Sequence, residues 1–254
     1  MEKVAHHGRE TAYRHVAAGT DSPPVVFVHG SGGTHLAWAN QYGRRDAPYS
    51  SVALDLSGHG DSDDVSTDPG RETLSAYAAD VLAVARETGA EYLVGNSLGG
   101  AVALWIALEH DHPFEGLVLA GTGAKLAVLD SLREWLADDF ERAIEFLHGE
   151  DRLFHDPDPE MVDRSARLMR ETGRRVTRRD YLTCHSFDVR NRVEEVTTPA
   201  LAVVGEYDGL TPPSYHEYLA EHLPDADYRE ISDAAHLAMV ERPAAFDRHL
   251  DAFV

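Results

Sequence analysis

Glu91-Tyr92-Leu93-Val94-Gly95-Asn96-Ser97-Leu98-Gly99-Gly100-Ala101-Val102-Ala103-Leu104 is the stretch that decides the fold. Glu91 to Val94 reads as a short strand, and Leu98 to Glu109 as a buried helix. Only Gly95, Asn96 and Ser97 separate them, so the chain must reverse within a few residues. Glycines at 95 and 99 leave space where side chains would collide. This strand-to-helix context is what a Gly-x-Ser-x-Gly elbow requires. A serine placed there projects its hydroxyl at the carboxyl end of a sheet. The helix start beside it, with its dipole and free N–H groups, favours developing negative charge.

Strand and helix signals alternate on both sides of the elbow. Pro23-Pro24 leads into Val25 to Val28, which His29-Gly30-Ser31-Gly32-Gly33 stops. Ser51 to Leu54 is a second run, closed by Asp55-Leu56-Ser57-Gly58-His59-Gly60. Residues 61–70 form a polar loop. Leu74 to Glu87 carries apolar residues at helical spacing, with Gly89 just past its end. Leu117 to Gly121 is a fourth strand. The rhythm then changes: Leu126 to Leu147 and Pro159 to Thr172 read as charged amphipathic helices, with no clear strand between 124 and 189. Alternation resumes with a strand at Ala200 to Val204, a helix near Tyr215 to His222, a strand at Tyr228 to Ile231 and a helix from Pro243 to Phe253. The expected fold is α/β, a mostly parallel twisted sheet with helices on both faces and an inserted helical cap. The expected division is core 1–123, cap 124–190 and core 191–254.

A serine hydroxyl is a weak nucleophile and needs a base, which in turn needs an orienting acid. Among 15 histidines, His236 stands out. Ser232-Asp233-Ala234-Ala235-His236 follows the last strand and precedes a helix, on a loop at the sheet's carboxyl end. The acid is expected from Gly205-Glu206-Tyr207-Asp208-Gly209, after the strand at 200–204. Asp208, in a turn bounded by Gly209 and Pro212, is the leading candidate, and Glu206 is its rival. Ser97, Asp208 and His236 then occur in the chain order this arrangement expects. Acyl transfer also needs preorganised N–H donors for the oxyanion. Leu98, next to Ser97, should supply one. The loop His29 to Gly33 should supply the other, from Ser31 ahead of Gly32, with Gly30 and Gly32 lining the substrate site.

Taken together these motifs resemble the α/β-hydrolase superfamily, nearly end to end: HGSGG, DLSGHGDS at 55–62, GNSLGG, GEYDGLTP and DAAHLAMVERP. The nearest likeness is to small capped carboxylesterases, 3-oxoadipate enol-lactone hydrolases and carbon–carbon bond hydrolases. The resemblance implies a serine hydrolase acting on a small-molecule ester or related acyl bond, with no cofactor and no metal. A carbon–carbon hydrolase or enol-lactonase would use the same residues, and the fold also serves ligand-binding modules. The stretch from Asp55 to Ser62 is structural in that group. Haloalkane dehalogenases and epoxide hydrolases have an aspartate at the elbow, which Ser97 disfavours; dienelactone hydrolases use a cysteine, and Cys184 lies in the cap region, which disfavours that activity too.

Composition bounds the partners. The formal net charge is −21 over 254 residues. Such a surface repels nucleic acid and anionic lipid. No apolar run approaches the ~18 residues that would span a bilayer, and no leader pattern opens the chain, so a soluble, cytoplasmic protein is expected. Its oligomeric state is open. Cys184 is the single cysteine and reads as a half-buried structural residue. Lys3 and Lys125 are the only lysines; every other basic side chain is arginine. Acid excess with lysine nearly absent resembles proteins of salt-loving archaea. In molar salt the Debye length falls to ~3 Å, which screens carboxylate repulsion.

Overall fold

A computed structural model describes residues 1–18 and 24–254. Pro23, the first of the proline pair leading into the first apolar strand, lies outside the described residues.

Among the described residues, eight strands form one sheet. They are β1 (Glu2–His6), β2 (Arg9–Val16), β3 (Val25–Val28), β4 (Ser51–Leu54), β5 (Tyr92–Asn96), β6 (Gly116–Ala120), β7 (Ala200–Gly205) and β8 (Ala226–Ile231). Their spatial order is β1-β2-β4-β3-β5-β6-β7-β8. β3 to β8 pair in parallel, while β1 and β2 form an antiparallel hairpin that docks antiparallel on β4. The central strands β3, β4, β6 and β7 are buried along their whole length. That explains their unbroken apolar sequences: a parallel sheet is covered on both faces.

The helices divide between those faces. In chain order they are α1 (Ala39–Tyr42), α2 (Arg71–Thr88), α3 (Leu98–Glu109), α4 (Asp130–Asp138), α5 (Phe140–Leu147), α6 (Pro159–Thr172), α7 (Arg174–Ser186), α8 (Pro213–His222), α9 (Ala238–Glu241) and α10 (Pro243–Phe253). Val26, Val28, Leu93, Leu117 and Leu119 pack with α2, α3 and α8. Val25, Phe27, Val94 and Val118 point the other way, onto Trp38, Met239, Phe246 and Leu250. This is the two-residue period of a strand, read from both faces at once.

Four helices, α4 to α7, lie between β6 and β7; α4, α5 and α6 share an apolar cluster of Leu132, Leu136, Ile144, Leu147, Phe154 and Met169, against which Tyr181 of α7 packs. The chain enters and leaves this layer side by side: Val189 N–H donates to the Ala124 carbonyl at 2.8 Å, and Leu126 N–H to the Phe187 carbonyl at 3.3 Å.

Several elements differ from the sequence reading, among them the short helix α1, which it did not anticipate. The stretch read as one helix from Leu126 to Leu147 is two. Residue 139 leaves helical geometry at φ −141°, ψ 78°, and the Asp139 side chain caps the second helix by accepting from Arg142 N–H. Residues 126–129 run to the neck instead of joining a helix. The hairpin β1/β2 was not expected, because its edge position keeps charged side chains such as Lys3, Arg9 and Arg14 along it. The sequence pattern also missed α7. Its buried face carries Thr177, Arg179, Asp180 and Thr183 between Val176 and Cys184, so no continuous apolar stripe marks it.

Candidate active site

Ser97 sits between β5 and α3 at φ 55°, ψ −114°. An L-residue at positive φ is strained and persists only where surroundings over-determine it. Here they do. Ser97 N–H donates to the Ala120 carbonyl at 2.9 Å, and its own carbonyl accepts from Thr122 Oγ1 at 2.8 Å. A Cβ on Gly95 would lie 2.3 Å from the Gly99 carbonyl oxygen, and one on Gly99 would lie 2.4 Å from that of Val28. Neither backbone can yield. Gly99→Ala is therefore expected to destabilise the fold by about 3 kcal/mol, the upper range for forced overpacking. Chemical denaturation measures it, and an unshifted midpoint would contradict the reading.

His236 lies on the loop between β8 and α9, 5 % exposed. Its Nδ1–H donates to Asp208 Oδ2 at 2.9 Å, with Thr211 Oγ1 at 3.2 Å. A carboxylate only accepts, so Nδ1 bears the proton and Nε2 presents its lone pair. The backbone of His236 is also held. Its N–H donates to the Arg152 carbonyl at 3.2 Å, and its carbonyl accepts from Asn96 Nδ2 at 3.3 Å. The sequence reading missed this use of Asn96, whose amide ties the elbow to the histidine loop.

Asp208 is buried in the loop after β7. Leu210 N–H and Thr211 N–H donate to Oδ1 at 2.9 and 2.8 Å, and the Thr211 hydroxyl donates to Oδ2 at 2.8 Å. Burial pushes its carboxyl up, but the His236 imidazole and the Thr211 hydrogen bonds outweigh that and hold it below the ordinary carboxylate value. Glu206 is exposed and accepts from Asp233 N–H at 3.3 Å. Of the two rivals, only Asp208 meets the histidine.

The loop after β3 packs on the elbow. A Cβ on Gly30 would sit 3.1 Å from Ser97 Cβ. Ser31 N–H and Leu98 N–H, the first of α3, have no protein acceptor among the described residues. Gly32 N–H, the second candidate donor, is already engaged: it donates to Asp180 Oδ2 at 2.9 Å. That leaves Ser31 as the donor this loop has to offer. Gly30, Ser31, Gly32, Ser97 and His236 all line a cavity of about 740 Å³, roofed by Met161, Leu168 and Met169. A second lobe of about 340 Å³ lies under Leu126, Leu132 and Phe146. Ser97, Tyr181 and His236 line both lobes. Leu98 is fully buried and lines neither. Cys184 is buried, 3.6 Å from Ser31 Oγ, and burial pushes its thiol up to about 12, far from a thiolate nucleophile. Among the described residues, no group of three or more His, Cys, Asp or Glu side chains is placed to hold a metal ion. Nor is any helix long and apolar enough to cross a membrane.

A hydroxyl on a strained turn and an imidazole oriented by a buried carboxylate line one cavity, with the Ser31 amide beside them and the Leu98 amide at the start of α3; such an arrangement is able to support acyl transfer. Placed at the carboxyl end of a parallel sheet under a helical layer, they define a hydrolase class. The sequence model of the alpha/beta hydrolase fold family matches residues 23–243, and the chain belongs to that family. It is 29% identical over 238 residues to a pimeloyl-[acyl-carrier protein] methyl ester esterase of Neisseria meningitidis, covering 87% of this chain and 90% of the relative. It is 24% identical over 256 residues to 3-oxoadipate enol-lactonase 1 of Acinetobacter baylyi, covering 92% and 89%. The solved structure of a thermophilic esterase superposes with a TM-score of 0.86 at 28% identity, over 99% of this chain and 96% of that one. The chain is a hydrolase.

Proposed function

We propose that the protein hydrolyses a carboxylic ester or lactone of a small molecule through an acyl-enzyme on Ser97. The observation that carries this reading is the 2.9 Å hydrogen bond from His236 to Asp208, with His236 and Ser97 lining one cavity. His236 Nε2 takes the Ser97 proton as the hydroxyl oxygen attacks the carbonyl carbon. Ser31 N–H and Leu98 N–H meet the oxyanion. His236 then gives its proton to the leaving alkoxide, and water repeats the sequence to release the acid. Asp208 stays ionised and stabilises the imidazolium. The scissile carbonyl sits where the two lobes meet, so the bulkier part of the substrate takes the lobe of about 740 Å³ and the smaller part that of about 340 Å³. The two relatives, a methyl ester esterase and an enol-lactonase, support acyl–oxygen cleavage.

A fluorophosphonate probe tests it. Folded wild type should be labelled at Ser97. Absence of labelling on folded protein would overturn the proposal in favour of a binding module. An aryl ester and enol-lactone panel, run against vinylogous diketones, then separates acyl–oxygen from carbon–carbon cleavage.

The charge supports a further reading, that the chain is adapted to a salt-rich medium. The net charge of −21 opposes compaction unless counter-ions screen it. The melting temperature is expected to rise by about 10 °C, on the order of 2.5–5 kcal/mol, between low-salt buffer and molar KCl. A melting temperature that does not move would refute the salt reading and leave the catalytic one standing.

A further inference from the structure

The loop that carries Ser31 is fixed from two directions. On one side, the Gly30 carbonyl accepts from His29 Nδ1–H at 2.8 Å and from Gly33 N–H at 3.1 Å. The Gly30 carbonyl and the Ser31 N–H belong to one planar trans peptide and point opposite ways. Pinning the carbonyl inward therefore turns the Ser31 N–H outward. His29 must be neutral to do this, because its Nε2 accepts from Leu56 N–H at 3.1 Å. Burial holds it so, lowering it to about 4. On the other side, the next peptide is fixed by the Gly32 N–H, whose acceptor belongs to the cap and not to the core: Asp180 on α7.

Asp180 is fully buried, and both of its carboxylate oxygens are engaged. Oδ2 accepts from Gly32 N–H and from His59 Nε2–H, both at 2.9 Å, and Oδ1 accepts from the Tyr77 hydroxyl at 2.6 Å. His59 Nδ1 faces only carbonyl oxygens, those of Leu56 and Ser57, each at 3.3 Å. Both ring nitrogens of His59 thus face acceptors, which only the imidazolium satisfies. Burial works against that charge; the Asp180 carboxylate outweighs it and holds the His59 pKa above its ordinary value. Arg179 is the other charge in the cluster. It donates to the Tyr77 hydroxyl at 3.2 Å, the Ser57 carbonyl at 2.9 Å and Asp64 Oδ1 at 2.9 Å. Single buried carboxylates are costly unless paired. This one is paired so that one of its bonds ends on the peptide next to the proposed oxyanion donor.

We propose that Asp180 is a positioning residue for the oxyanion donor. From the cap helix α7 it fixes the Ser31–Gly32 peptide and so aims the Ser31 N–H. Seating the cap and completing the oxyanion hole are then one event, and a cap displaced from the core leaves the hole unformed. This rests on the reading of Ser97 as nucleophile and Ser31 as donor given above.

Phenylboronic acid tests it. The Ser97 oxygen bonds to boron, the hydroxyl proton passes to His236, and one oxygen of the tetrahedral boronate occupies the oxyanion position. Asp180→Asn is expected to weaken boronate inhibition and to lower kcat together, by about 100-fold, the scale of a 1 Å misplacement, with KM within about twofold. The control is Thr183→Val on the same helix. It removes the 2.9 Å hydrogen bond from Gly70 N–H to Thr183 Oγ1, which fastens α7 to the start of α2 and touches no part of the loop. That variant should lose thermal stability and keep wild-type boronate affinity. Wild-type boronate affinity in Asp180→Asn, or an equal loss in Thr183→Val, overturns the proposal. Should Asp180→Asn not fold, Tyr77→Phe removes one of the three donors and is expected to weaken the boronate about threefold, the size of one net hydrogen bond. No change there also overturns the proposal. A folded wild type that neither binds boronate nor reacts with fluorophosphonate removes the underlying reading of Ser97, and this inference with it.

Discussion

Ser97→Ala is expected to lower kcat for ester hydrolysis by about 10⁶-fold, the scale seen when a serine nucleophile is removed elsewhere, with substrate binding and fold retained. The argument is local. The serine methylene would keep the packing that Gly30 makes against Cβ, and the strained turn is fixed by backbone bonds to Ala120 and Thr122 that alanine leaves in place. Only the attacking oxygen disappears. The two unpaired amides remain, so some rate above water should persist, because oxyanion stabilisation survives the loss of the nucleophile. Pre-steady-state kinetics on a chromogenic ester measures both parts. A variant retaining a burst of acyl-enzyme, or more than about one percent of wild-type kcat, on the scale just given, would require a different nucleophile.

Asp208→Asn is the second large effect, about 10⁴-fold in kcat by analogy with the orienting carboxylate of a serine protease. The asparagine amide would present N–H groups or a neutral oxygen to His236 Nδ1. The first arrangement forces the proton onto Nε2, where it blocks the base; the second leaves the imidazolium without its counter-charge. Glu206→Gln is the matched control. Glu206 is exposed and lies outside the hydrogen-bond chain, so activity should stay within about twofold, as for surface changes away from such features. Equal losses in both variants would remove Asp208 from its role. Stability gives a second readout. The native state holds the Asp208 carboxyl below its unfolded value. Its contribution is present above that unfolded value and fades as pH falls through the folded one. The asparagine variant should lose stability at neutral pH and keep a flatter profile on the acid side.

The elbow and the strands of the central sheet were readable because strict local chemistry produces them. Residues 92–104 admit one sharp turn, and continuous apolar runs at 25–28, 117–121 and 200–204 fit only buried strands. Ser97, Asp208 and His236 stood out as candidates for the same reason, each following a strand in a glycine-, proline- or turn-rich loop, and the structure places Asp208 within hydrogen-bond distance of His236. The helix α7 and the buried cluster at its heart were not. Apolar periodicity is the main signal for a buried helix, and α7 turns Thr177, Arg179, Asp180 and Thr183 inward instead. A charge-rich segment in a strongly acidic chain reads as surface until its partners, His59 and Tyr77, are seen more than 100 residues away. Asn96 escaped notice likewise, since its partner carbonyl lies on a loop 140 residues downstream.

The neck at Ala124 and Val189 bears on how such a protein can diversify. Entry and exit are already adjacent, so a longer or shorter inserted segment changes the closure entropy by only about 0.6 kcal/mol per doubling of length. The sheet need not register the change. Lineages could therefore trade whole roofs over an unaltered catalytic floor and acquire new substrates by cassette. The bond from Gly32 to Asp180 sets a condition on that exchange: an incoming roof must bring its own buried acceptor for that amide, or inherit a floor whose chemistry is intact on paper and slow in practice.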